Sequence, residues 1–118
     1  MAQTDPTAGK YSISFTSVGD QVVAESLAEQ LVRGQVVACV SILPQAVSHF
    51  TWQGKLCRES EYILMMKGWT SKQHELAAAI KQHHPYEVPE LIHLDVKDGA
   101  PSYLAWIDSI LVATHPKR

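Results

Sequence analysis

The stretch from Val36 to Trp69 reads VVACVSILPQAVSHFTWQGKLCRESEYILMMKGW. Val36 to Leu43 is apolar and β-branched, the pattern of a buried strand. Pro44 interrupts it without ending it, because a bulge or an edge position accommodates proline. Val47 to Trp52 resumes extended character, Gln53-Gly54-Lys55 supplies a turn, and a second strand runs from about Leu56 to Trp69. Two strands of more than ten residues each exceed the usual ~5–6. Their outer halves are expected to project past the core as a part-apolar hairpin that needs a partner chain on its edges.

Working outward, Lys10 to Thr16 alternates polar and apolar residues, a half-buried strand. Ser17 or Asp20 can cap the next element. In it Val23, Leu27 and Leu31 recur every four residues beside Ala24 and Ala28, an amphipathic helix that Gly34 is expected to close. Beyond the hairpin, Thr70 and Gln73 have capping-box spacing, and Leu76, Ile80 and His83 mark one helix face. Leu91 to Val96 reads as a strand, Asp98-Gly99 as a turn, and Pro101 starts a helix lined by Leu104, Ile107 and Leu111. The order is β-α-β-β-α-β plus a C-terminal helix. That predicts an α+β, ferredoxin-like sandwich with a long β2–β3 hairpin and helices on one face of an antiparallel sheet. The other face is left largely uncovered, a second reason to expect self-association. Residues 1–10 are expected to be a flexible leader, 11–113 a single domain and 114–118 a tail.

The 118 residues suit one domain that buries roughly two thirds of its unfolded surface. Ten basic against twelve acidic residues give a net charge of −2, which argues against a general nucleic-acid binder. The longest near-apolar run has eight residues, against the ~20 a bilayer requires, so no membrane is implied. The first residues lack a basic and an apolar region, so a cytoplasmic location is expected. Cys39 and Cys57 are then reduced, and they have no Cys-x-x-Cys spacing. No Gly-x-Gly-x-x-Gly, Walker loop or Gly-x-Ser-x-Gly elbow is present, and the protein is expected not to be an enzyme.

The richest polar segment is His83-His84-Pro85-Tyr86-Glu87-Val88-Pro89-Glu90. Pro85 cannot continue a helix and biases His84 toward extended backbone. One short link therefore stops an element and gathers imidazoles, a phenol and carboxylates at its end.

Together with Val37-Ala38-Cys39-Val40, Ile42-Leu43-Pro44, Trp52-Gln53-Gly54-Lys55, Glu59-Ser60-Glu61-Tyr62 with Leu64 and Lys67, and Tyr103-Leu104-Ala105-Trp106, this segment resembles the CutA family of divalent-cation tolerance proteins. The pairing of Trp-Gln-Gly-Lys with His-Pro-Tyr-Glu-Val-Pro at this separation is specific, and the matches cover most of the domain. The resemblance implies a ferredoxin-like fold in a tight homotrimer, copper or other divalent-metal tolerance, and a loose kinship to PII-type signalling trimers, which bind small ligands in inter-subunit clefts.

The resemblance also implies a copper site built from a cysteine at the end of the first strand and two histidines, matched here by His83 and His84. The cysteine position holds Thr16, so the soft thiolate that selects Cu(I) is missing. Neighbouring helical residues do not face each other, so the two imidazoles chelate one ion only if the helix end opens at Pro85. The competing reading packs His83 beside Leu76 and Ile80 and turns His84 to the helix-end carbonyls. A ligand cleft is the second candidate, with Glu59, Glu61, Lys67, Tyr86 and Glu87. Glu59, Glu61 and Lys67 share one strand face, on which a structural ion-pair network is the alternative. Trp52 at the hairpin tip is expected to anchor the trimer interface.

Overall fold

Strand pairing in the computed structural model, which describes residues 9–112, gives one four-stranded antiparallel sheet in the order β2-β3-β1-β4. The elements are β1 (Tyr11–Val18), α1 (Gln21–Arg33), β2 (Cys39–Trp52), β3 (Lys55–Trp69), α2 (Gln73–His83), β4 (Ile92–Asp95) and α3 (Pro101–Val112). This is the ferredoxin-like order expected from the hydrophobic periods. Most of the expected leader and the whole expected tail lie outside the described residues.

Asp20, not Ser17, caps α1: its carboxylate accepts from the N–H groups of Val22 and Val23 at 2.7 and 3.1 Å. Ala24, Leu27 and Leu31 of α1 meet Leu76 and Ile80 of α2 over Val18, Leu64 and Met66 of the sheet. A second cluster packs Leu104, Ile107 and Leu111 of α3 against Tyr11 and Ala38, where β1 starts and β3 finishes.

Gly34 closes α1 as expected, its N–H bonding the Gln30 carbonyl, though not in the left-handed conformation, and the start of α2 differs from expectation. Gly34 stays right-handed at φ −78°, and Gln35 takes the left-handed turn at φ 55°. The Gln35 amide donates to the Ile110 carbonyl at 3.0 Å, which offsets the cost of that conformation. The Thr70–Gln73 capping box does not form. The Thr70 N–H bonds the Lys10 carbonyl, a 3-10 turn over Thr70–Lys72 delays the helix, and the Thr70 hydroxyl has no partner among the described residues.

The hairpin is as long as its sequence implies. Gln53 and Gly54, at φ 51° and 79°, form a two-residue turn of the primed kind, closed by Trp52 opposite Lys55. The register slips between Leu43 and Ala46, where Pro44 is followed by Gln45 at φ 64° on the outermost strand, so proline sits at a bulge. β1 reaches only as far as Tyr62 of β3, so the outer part of the hairpin is a ribbon of two strands, with no third among the described residues. The Cα radius of gyration, 15.9 Å, exceeds the ~13.5 Å of a compact chain this long.

The two sheet faces are unalike. In β1, Ser12, Ser14 and Thr16 share the face of Gly68, Met66 and Leu64, which α1 and α2 cover. Ile13 and Phe15 share the opposite face with Lys67 and Met65, and Leu94 and Ile92 continue it on β4. No described helix covers that second face beyond the Tyr11–Trp69 end, and Ile92 and Leu94 stand 50% and 52% exposed.

Candidate functional site

The segment after α2 folds inward. The His84 N–H caps the Ile80 carbonyl at 2.9 Å, and the backbone of His84 then turns extended, at φ −81° and ψ 136°, as the following proline demands. This swings the His84 ring out of the helical path and under the end of β1, where it is only 8% exposed. Its Nε2 lies 2.8 Å from the Ser17 carbonyl oxygen, and its Nδ1 lies 3.1 Å from the Tyr86 backbone nitrogen. A carbonyl only accepts and an amide N–H only donates, so the ring is the Nε2–H tautomer with Nδ1 accepting.

Two residues on, the Tyr86 hydroxyl donates to Glu61 Oε2 at 2.9 Å, and the Tyr86 ring meets the His84 imidazole edge-on at 4.8 Å. A Cβ at Gly19 would lie 3.2 Å from that hydroxyl, so glycine is what lets the phenol approach the β1–α1 turn. Burial, then the hydrogen bond to Glu61, then the charges of Glu61 and Glu59 push the Tyr86 phenol up to about 12. Glu61 is 6% exposed, with Tyr86 as its one side-chain donor among the described residues. A carboxylate so deeply placed with so few donors is costly to hold in an isolated chain.

The other expected residues are spread out. Glu59 is exposed one pleat from Glu61 on the same face of β3. Lys67 shares that face but lies six residues along, about 20 Å away, beside Ser41 at 3.5 Å. Glu87 is exposed next to Tyr86, and Trp52 is partly exposed at the hairpin tip. Tyr86 and Glu61 are brought together directly and Glu59 joins them electrostatically, while Lys67 stands apart.

The expected copper donors do not converge. His83 is exposed and lines a shallow groove with Val22, Val23 and Ser26 of α1, rather than packing on Leu76 and Ile80. His84 points the other way with both nitrogens engaged. Thr16 is fully buried on the helix-covered face, and its hydroxyl has no partner among the described residues. Among those residues, no group of three or more His, Cys, Asp and Glu side chains is placed to hold a metal ion. The residues of one chain therefore do not fit a site of His83, His84 and position 16.

One polar hub was not anticipated. Asp108 of α3 accepts from Tyr11 and Trp69, each at 2.8 Å, and pairs with Lys10 at 3.4 Å. Burial works to raise its pKa, but these three donors outweigh it and hold the carboxyl below its ordinary range, while burial and the Asp108 contact raise the Tyr11 phenol. Its partners lie up to 98 positions away in sequence, and no local pattern announces them. Asp108 has three side-chain donors among the described residues, where Glu61 has one.

A family model described as CutA1 divalent ion tolerance protein matches residues 12–110. The divalent-cation tolerance protein CutA of Yersinia pestis (strain Pestoides F) is 42% identical over 114 residues, covering 94% of this chain and 96% of that protein. Among solved structures, CutA from Xylella fastidiosa superposes with a TM-score of 0.84 at 33% identity, over 86% of this chain and 98% of that one. CutA1 from Oryza sativa gives 0.86 at 29% identity, over 92% and 99%. With sequence, fold and length in agreement, the chain belongs to the CutA1 divalent ion tolerance family.

Proposed function

We propose that this protein serves divalent-cation tolerance as a homotrimer whose inter-subunit clefts take the ligand, the Glu61–Tyr86 corner being one chain's share of each cleft. The observation that carries the reading is the uncovered apolar face, with Ile92 and Leu94 half exposed beside Ile13, Phe15, Ile63 and Met65. Apolar side chains gathered on one face and left partly open to water, with Lys67 among them, mark an interaction surface. The ribbon beyond Leu43 supports the same view, since Phe50, Trp52 and Leu56 on it are exposed and a lone two-stranded ribbon is marginal. No described helix is long and apolar enough to cross a membrane, so a bilayer is not what covers these residues through a helical span.

Copper at His83 and His84 of one chain is not the route by which this reading works, because His84 has no free lone pair. That favours a ligand held between subunits, in the manner of a PII-like cleft, with carboxylates contributing oxygen donors and a divalent cation among the ligands. The test is to titrate Cu(II) and Zn(II) calorimetrically into the wild type, into Glu61→Gln and into a chain kept monomeric by Ile92→Asp/Leu94→Asp. Binding that weakens at least tenfold in both variants supports the reading. Equal affinity in the monomeric chain contradicts it.

A further inference from the structure

We infer that His84 is a positioning residue, a staple that ties the exit of α2 to the end of β1 and so presents the Tyr86 hydroxyl to Glu61, and that it is not a cation ligand in this protein. This role deepens the proposed cleft function and rests on it only for the importance of the Glu61–Tyr86 corner.

The geometry assigns the role step by step. Pro85 forces His84 out of helical backbone, so its ring leaves the α2 surface on which His83 remains. One nitrogen then reaches a different element, the Ser17 carbonyl of β1, and the other reaches its own loop at the Tyr86 N–H. These two bonds fix the chain on both sides of Pro85. Only the Tyr86 side chain then remains to be placed, and it ends 2.9 Å from Glu61 and against Gly19. Metal coordination at Nδ1 would displace the Tyr86 N–H, and coordination at Nε2 would require loss of its proton and of the Ser17 bond. Either one dismantles the arrangement that places the phenol. Position 16 offers no help from the strand side, since Thr16 is sealed under the helices and carries no thiol.

A staple and a ligand respond differently to the same substitutions. The amide of His84→Gln supplies both functions, an N–H toward the Ser17 carbonyl and an oxygen that accepts from the Tyr86 N–H, yet it is a poor replacement for imidazole on copper. Tyr86 amide hydrogen exchange should speed up about 10- to 100-fold in His84→Ala, the range expected for a lost buried hydrogen bond, and recover most of that in His84→Gln. Cu(II) isotherms of His84→Gln should match those of the wild type within twofold. Imidazole nitrogen spectra of the wild type should show the Nε2–H tautomer at His84 before and after substoichiometric Cu(II), with no selective broadening; this arm needs no variant to fold. The inference is overturned if Tyr86 exchange is unchanged in His84→Ala, if copper affinity drops tenfold or more in His84→Gln, or if Cu(II) broadens His84 first. Should the wild type bind no cation, the cleft reading falls, and the exchange and tautomer results still decide the staple.

Discussion

The two faces of the sheet make opposite use of one strand. Under α1 and α2, β1 presents Ser12, Ser14 and Thr16, small and polar, with Val18 as its one apolar residue there, yet this is the face that a single chain buries. Toward the open side it presents Ile13 and Phe15, flanked by Met65, Ile92 and Leu94, yet a single chain leaves much of that side uncovered. If the monomer were the finished structure, hydrophobic burial would run the other way. The inversion is accounted for if the open face is the interior of an assembly. The helices obtain their apolar contacts from Leu64 and Met66 of β3 and from Val18 at the very end of β1, and before Val18 the strand carries small side chains beneath them.

Charge placed on the open face is expected to have the largest effect. Ile92→Asp with Leu94→Asp should dissociate the assembly, since each apolar side chain contributes roughly 1.5–3 kcal/mol when fully buried. Sedimentation velocity at micromolar concentration should then show single chains. Unchanged assembly would mean that this face is not the interface.

The next effect lies at the end of the open face that α3 does cover. Asp108→Ala removes the acceptor for the Tyr11 O–H and the Trp69 N–H, and should cost about 2–4 kcal/mol in urea unfolding. The native pKa of Asp108 lies below its unfolded value, so its contribution is present above the ordinary carboxyl pKa and is lost as pH falls through the native one. The wild type should thus lose more stability in acid than Asp108→Asn does.

Tyr86→Phe should cost about 1–2 kcal/mol by leaving Glu61 without its donor. Here the native pKa is raised, to about 12, so the stabilisation is complete below the ordinary phenol value near 10 and is lost as pH climbs toward 12. Unfolding midpoints of wild type and Tyr86→Phe should converge across that interval. A constant gap would remove Tyr86 ionisation from the account.

The smallest effect sharpens the covered face. Thr16→Val replaces a buried, unpartnered hydroxyl with a methyl of nearly the same shape, and should stabilise the protein by about 0.5–1 kcal/mol. Destabilisation in thermal melts would show that the hydroxyl has a partner in the assembled protein.

The fold was legible in the sequence because its signals are local. Strand and helix periods, Gly54 in the tight turn, and Pro44 at a bulge all act within a few residues. The direction of β1 was not legible. Alternation states that a strand has two faces, and it does not state which one the helices take. The site was half legible for the same reason. The His83–Glu90 segment announced a polar corner, and Pro85 announced that His84 would leave the helix. That Glu61 would be the carboxylate meeting Tyr86, that both His84 nitrogens would be spent on backbone groups, and that Asp108 would gather Lys10, Tyr11 and Trp69 depend on contacts between distant segments. The capping box at Thr70 and Gln73 has the right spacing and does not form, since the Thr70 N–H bonds the Lys10 carbonyl and the Gln73 N–H bonds the Thr70 carbonyl in the 3-10 turn.

Sedimentation equilibrium of the unmodified chain, diluted from micromolar to nanomolar at neutral pH, bears most directly on the inverted faces. A mass of three chains that persists on dilution, with Ile92 and Leu94 protected from solvent, is the predicted result. A folded single chain at every concentration, with the Ile13, Phe15 and Leu94 face open to water, would contradict it.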